Sequence, residues 1–259
     1  MILVGPAGNI GENIISSLHE LKKHGLKCME VEFVRQVWMN NKTAKEVGEL
    51  AKELDIKLSV HASYYINLNS EDKNKLKGSE MRILEACEKG HHMGARNIVF
   101  HPGYYGKKSK EESYEFIKKE ILELNKKIKE NKWDVKLCPE TTGKVNVFGS
   151  IDEIIRLAKE TECSLCVDFA HLYARNQGKL NYKEIFNKVK NMKLKKLHCH
   201  FSGIEYGTKG EKRHIRVDIN QFKKLVSTIP KKLDITLINE SPYLLEDALK
   251  MRRIAKEIN

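Results

Sequence analysis

Residues 164–171 read Ser-Leu-Cys-Val-Asp-Phe-Ala-His. A short apolar run ends on an acid, Asp168, and a histidine, His171, follows three residues later. Working outward in both directions, similar runs recur at Ile2–Val4, Cys28–Glu32, Lys57–His61, Asn97–His101, Val135–Glu140, Lys196–His200 and Ile235–Glu240. Between them the apolar residues take up a helical period, as in Ile14–His24, Ala44–Leu54, Glu80–Met93 and Ser113–Ile128. Ser109 with Glu112 and Ser150 with Glu153 have the spacing of capping boxes, and Ser241-Pro242 that of an N-cap followed by proline at the first helical position. Eight strand–helix alternations over 259 residues with no break in composition predict an α/β fold: one domain, 1–259, folded as a (β/α)8 TIM barrel. An open doubly wound sheet is the rival. It is expected to carry a glycine-rich turn after its first strand, and Gly5-Pro-Ala-Gly8 lacks the G-x-G-x-x-G spacing.

The polar strand ends decide between the two. From the third strand to the eighth every run closes on a metal-capable side chain: His61, His101, Glu140, Asp168, His200 and Glu240. Their separations of 40, 39, 28, 32 and 40 residues are each about one βα unit. In a barrel such positions converge on the C-terminal mouth, whereas an open sheet spreads them along an edge. Three carboxylates and three imidazoles facing one cavity are costly unless divalent cations compensate them. The mixture favours zinc and leaves room for manganese. His171 approaches the same mouth from the turn after Asp168. His214, in Gly210-Glu-Lys-Arg-His, lies in the segment after the seventh strand, where spacing alone does not separate a ligand from a solvated loop histidine. His198 shares a strand face with His200, one layer deeper, and reads as an interior histidine with a partner.

Composition bounds the rest. Hydrophobic residues are 41% and charged residues 32%, the composition of an ordinary globular chain. No apolar run reaches the ~18–20 residues that cross a bilayer, and the N-terminus lacks the pattern of a signal peptide, so no membrane partner is expected and a cytoplasmic location is. Six cysteines with one isolated C-x-x-C, Cys163 and Cys166, point to buried free thiols in a reducing compartment. Forty-seven basic against 35 acidic residues leave a net charge of +12, which suits either a highly charged soluble surface or attraction to a polyanion.

Several motifs together resemble the endonuclease IV family of apurinic/apyrimidinic endonucleases. They are His61-Ala-Ser-Tyr-Tyr-Ile-Asn-Leu68, Phe100-His-Pro-Gly103, Pro139-Glu-Thr-Thr-Gly143, Val167-Asp-Phe-Ala-His171, His200-Phe-Ser-Gly203 and Glu240-Ser-Pro242. The acidic strand ends are shared with the wider xylose-isomerase-like superfamily. The resemblance implies a multinuclear zinc site of two or three ions that hydrolyses the phosphodiester 5′ to an abasic nucleotide in double-stranded DNA, leaving a 3′-hydroxyl. It implies that His61 and His101 hold one ion, that Glu140 bridges to a second completed by Asp168, His200 and Glu240, and that His171 and His214 hold the third. It further implies that Tyr64 enters the DNA at the lesion, that Arg35 contacts DNA, and that Glu140 and Glu240 serve the catalytic step. The chain departs from the family where an aspartate ligand precedes the position of His214 by two residues: Lys212 stands there, with Glu211 beside it as the substitute ligand. A monomer is expected.

The alternative is a sugar isomerase or epimerase using Glu140, Asp168, His200 and Glu240 around one divalent metal, with two glutamates as acid and base. Those four residues do not separate the two readings. His61, His101, His171 and His214 do, because a one-metal sugar enzyme has little use for them. A third class, a metal-dependent DNA-binding protein without catalysis, would require the Lys212 departure to have removed activity alone.

Overall fold

Apolar strand runs rich in Val, Ile and Leu, each bounded by a turn and an amphipathic helix, must bury both faces, and a closed barrel does so against its own interior and beneath the helices. The structure, a computed structural model that describes residues 1–258, takes that form. Eight strands form the barrel wall: β1 (Ile2–Pro6), β2 (Cys28–Glu32), β3 (Lys57–His61), β4 (Asn97–Phe100), β5 (Lys136–Pro139), β6 (Cys166–Asp168), β7 (Lys196–Phe201) and, after a hairpin of β8 (Gly203–Gly207) and β9 (Gly210–Ile215), β10 (Asp234–Asn239). The pairings β2-β3-β4-β5 and β1-β10-β7-β6 are all parallel. Parallel bridges Ala7–Glu30 and Glu140–Cys166 join the two groups and close the barrel. The expectation of a closed parallel barrel therefore holds.

Outside the wall run α1 (Ile14–Lys23), α2 (Asn41–Glu53), α3 (Lys73–Met93), α4 (Lys110–Glu130), α5 (Ile151–Thr161), the short α6 (Phe169–Arg175), α7 (Tyr182–Lys190), α8 (Ile219–Thr228) and α9 (Leu244–Ile258). Their starts follow local chemistry. Ser109 and Ser150 each form a complete capping box with Glu112 and Glu153. On α4, Tyr114, Ile117, Ile121, Leu124 and Ile128 recur at helical spacing and are all buried. The last helix begins at Leu244, two residues later than Ser241-Pro242 suggests. Ser241 Oγ donates to Asp247 and accepts the amide of Tyr243, which holds the chain in a turn before the helix starts. All six cysteines are buried free thiols, as expected. No helix among the described residues is long and apolar enough to cross a membrane.

Two features place the site. The segment after β7 folds into the β8–β9 hairpin, so His214 sits on a strand with Ile204 opposite it. Short α6 begins at once after β6, with Asp168 as its N-cap accepting from the His171 amide at 2.6 Å. That single turn fixes His171 beside Asp168.

Candidate metal centre at the barrel mouth

The carboxyl ends of the parallel strands deliver His61, His101, Glu140, Asp168, His200 and Glu240 to one mouth. His61, Glu140, Asp168 and His200 are at most 1% exposed. The separate loops are locked together by their own motifs. Leu68 N–H donates to the Pro102 carbonyl, and Asn67 Oδ1 accepts from the Tyr104 amide. Gly103, at φ 144°, is required here, because a Cβ would lie 2.4 Å from Asn67 Oδ1. Ile-Asn-Leu and His-Pro-Gly thus interlock, setting His61 beside His101 with ring centroids 5.5 Å apart.

The imidazoles are aimed by their rear nitrogens. His61 Nδ1–H donates to the Ala62 carbonyl at 2.7 Å, and His171 Nδ1–H to the Thr141 carbonyl at 2.9 Å. His214 Nδ1 lies 2.6 Å from Ser202 Oγ. Their Nε2 atoms then face carboxylates: His61 reaches Glu140 Oε2 at 3.3 Å, His171 reaches Glu211 Oε2 at 3.6 Å, and His214 reaches Glu240 Oε2 at 3.9 Å. His101 Nε2 is 2.8 Å from Glu140 Oε2, and His200 Nδ1 lies 2.8 Å from Glu140 Oε1 and 3.0 Å from Glu240 Oε1.

Among the described residues, donor atoms within 4.8 Å of one another form five sets. Three hold the strand-end and hairpin residues: His61, His101 and Glu140; Glu140, Asp168, His200 and Glu240; and His171, His214 and Glu240. The other two are Cys166, His198 and His200, and Glu30, Glu32 and Glu240. Glu140 belongs to two of the first three sets, and so does Glu240, which also joins Glu30 and Glu32. Within this centre Asp168 Oδ2, His171 Nε2 and Glu240 Oε2 are buried with no hydrogen-bond partner. Buried atoms of this kind are ordinarily satisfied, and mixed imidazole and carboxylate donors suit zinc, with manganese also accommodated. On these grounds the residues fit divalent metal ions.

Electrostatics carry the same mark. Burial opposes protonation of His61, but the carboxylates of Glu32 and Glu140 outweigh it and lift its pKa to about 10. Burial likewise opposes protonation of His171, and Asp168 with Glu140 raises it to about 9. Burial pushes Asp168 well above the usual carboxylate range against the pull of His171. It also pushes Glu140 up, yet His200 and His101 hold Glu140 well below that range. The carboxylates thus favour positive charge at His61 and His171, whereas burial lowers the pKa of His214.

Glu211, one residue before the unsuitable Lys212, turns inward and lines the cavity with His171 and His214, whereas Lys212 points outward toward Glu205. Room for it comes from Gly143: a Cβ there would lie 2.6 Å from Glu211 Cβ. The Glu211 amide donates to the Gly143 carbonyl, pinning the hairpin to the β5 loop. A cavity of about 260 Å³ opens over the cluster, with Tyr64, Tyr104 and Lys144 on its rim. Tyr64 is 49% exposed. Arg35 is exposed in the neighbouring loop, where its carbonyl accepts from Ser63 Oγ at 2.8 Å.

Two acids at this site were not singled out from the sequence. Glu30 is fully buried, with His198 Nε2–H donating to its Oε2 at 2.8 Å; His198 is thus the partnered interior residue expected of it. Glu32 is raised by burial to about 8, against the pull of His61. The signal was present: Glu30-Val-Glu32 places two charges on one face of an otherwise apolar strand.

Comparison with known proteins fits this geometry. Residues 18–242 match the family described as xylose isomerase-like TIM barrel. An uncharacterized protein of Methanocaldococcus jannaschii is 38% identical, over 100% of this chain and 98% of its own. A probable endonuclease 4 of Mesomycoplasma hyopneumoniae is 26% identical, over 75% of each chain. Among solved structures, SacUVDE superposes with a TM-score of 0.75 at 21% identity, covering 95% of this chain and 85% of its own. Endonuclease IV of Thermus thermophilus gives 0.72 at 17%, and D-psicose 3-epimerase of Clostridium cellulolyticum 0.71 at 13%, each over 98% of both chains. At these identities the structural likenesses speak for the fold alone.

Proposed function

The chain belongs to the xylose isomerase-like TIM barrel family, and from that premise we propose that it is a metal-dependent apurinic/apyrimidinic endonuclease. Its substrate is double-stranded DNA with an abasic site, cut on the 5′ side of the lesion to leave a 3′-hydroxyl. The observation that carries this reading is the size and sharing of the donor set. Three groups of donors meet through Glu140 and Glu240, where a one-metal sugar enzyme needs one group. The probable endonuclease 4 relative supports the same class.

Each residue then has a task. His61 and His101 would hold one ion with Glu140; Asp168, His200 and Glu240 would complete a second with Glu140; His171, His214 and Glu211 would hold a third. When bound, zinc or manganese supplies Lewis acidity, bringing water toward a pKa of about 7 and neutralising charge on phosphate oxygens. Glu240, which belongs to three of the donor sets, would orient an attacking water. Tyr64, on the cavity rim and half exposed, fills the space that a missing base leaves, and Arg35 beside it holds backbone phosphate. The +12 charge draws the polyanion in. The enzyme acts as a monomer in the reducing cytoplasm.

A sugar epimerase remains the second reading, favoured by the buried set Glu140, Asp168, His200 and Glu240 taken alone. One experiment separates them: metal content measured beside incision of an abasic-site duplex and turnover of ketoses. Two or three ions per chain with incision support the endonuclease. One ion with ketose turnover and no incision overturns it.

A further inference from the structure

We propose that Glu30 is a positioning residue for the metal centre, one that commits His200 to offer its Nδ1 to the ion shared with Glu140, Asp168 and Glu240. The proposal rests on the metal-centre reading given above and extends it to a residue on β2, outside the strand ends that supply the ligands.

His200 has a carboxylate on both sides. Its Nδ1 lies 2.8 Å from Glu140 Oε1 and 3.0 Å from Glu240 Oε1, and its Nε2 lies 2.8 Å from Glu30 Oε1. A neutral imidazole has one proton to distribute between these faces. If that proton sits on Nδ1, the ring cannot coordinate from the mouth side. A carboxylate behind Nε2 keeps the proton there and frees the Nδ1 lone pair, and it raises the basicity of that lone pair as well. Two other rings of the centre, His61 and His171, are anchored by weaker acceptors, the backbone carbonyls of Ala62 and Thr141, and His214 Nδ1 pairs with the Ser202 hydroxyl.

Glu30 is itself held. His198 Nε2–H donates to its Oε2 at 2.8 Å, which leaves Oε1 for His200. The contact from Oε1 is close but lies off the N–H direction, so both atoms lack a hydrogen-bond partner in this geometry. Cys166 and His198 are further polar neighbours of His200; His198 Nε2–H is already given to Glu30, and the buried neutral thiol of Cys166 is a poor substitute acceptor. A fully buried carboxylate with no catalytic partner would be a liability. The pairing with His198 satisfies one oxygen, and the other is a buried acceptor 2.8 Å from His200 Nε2.

The test uses the full chain and zinc. Zinc affinity is read by chelator competition, and the His200 tautomer by 15N-resolved imidazole spectra, in the wild type, Glu30→Gln and Glu30→Leu. Wild-type His200 should carry its proton on Nε2. Glu30→Leu should weaken one zinc equivalent by ~10–100-fold while the others keep their affinity, and should lose the Nε2–H tautomer. Glu30→Gln retains an acceptor, so it should keep the tautomer and weaken the same equivalent less; it also carries the test if Glu30→Leu does not fold. Wild-type affinity in both variants overturns the proposal. So does equal weakening of every equivalent, which marks a general structural role, or complete loss of one equivalent in Glu30→Gln, which makes Glu30 a ligand. A wild-type chain that binds no zinc overturns the metal-centre reading instead.

Discussion

Glu140 is the residue on which the centre turns. Its two oxygens face His61, His101 and His200, and it is fully buried. On the proposed reading, removing a carboxylate that serves two donor sets would leave two cations without a shared counter-charge. Glu140→Ala should therefore reduce incision of an abasic duplex to background and lower bound zinc by more than one equivalent; normal incision by that variant would refute the assignment. Tyr64 is the contrasting case, because it lines the cavity without donating to any of the three sets. Tyr64→Ala should weaken binding to an abasic duplex relative to an intact one and leave zinc content at the wild-type level. A metal-depleted Tyr64→Ala chain would show that the ring supports the centre itself.

Individual elements explain how distant residues reach that centre. The β8–β9 hairpin brings Glu211 and His214 back over the mouth, and its bridge from Gly210 to Lys144 ties it to the loop after β5. Arg175, on α6, braces the same loop by donating to the carbonyls of Lys144 and Val147. The fit between loop and hairpin depends on a missing side chain at Gly143, so Gly143→Ala should push Glu211 outward. We expect overpacking of about 1–3 kcal/mol in stability, together with loss of the zinc held by His171, His214 and Glu211 and retention of the zinc on His61 and His101. Chelator-resolved zinc stoichiometry checks this. Unchanged occupancy at three equivalents would show that Glu211 is dispensable as a ligand.

At the scale of the whole molecule, folding and metal binding are linked through the protons of the mouth. His61 and His171 have folded pKa values raised to about 10 and about 9. Their contribution is fully present below the unfolded value of about 6.5 and is lost as pH rises through the folded values. Glu32, raised to about 8, works in the same direction, because the folded chain keeps a proton that the unfolded chain releases above about 4.3. Glu30 and Glu140 lie well below their usual range and oppose this only at acid pH, where stability is lost as they protonate. The chelated protein should therefore melt at progressively lower temperature from about pH 6.5 to pH 10. If the centre binds zinc as proposed, the metal should reverse the trend by replacing protons, a thousandfold excess over its dissociation constant adding about 4 kcal/mol per site. Calorimetric melting with and without chelator across that range is the measurement; parallel pH profiles would sever the link.

The sequence by itself determined the barrel and most of its mouth, because both are written in local periods. Strand runs recur at βα intervals and end on His or acidic side chains, and a parallel barrel collects such ends whatever else the chain does. Helix caps at Ser109 and Ser150 were legible for the same reason, since each involves only residues three apart. Only the tertiary structure decided what lies across the barrel. Glu30 meets His198 from 168 residues away, and that pairing depends on strand register and closure, which no local pattern encodes. The same holds for the placing of Glu211: the sequence offers it as the substitute beside Lys212, but the hairpin turns it inward because Gly143, on another strand's loop, leaves the space for it.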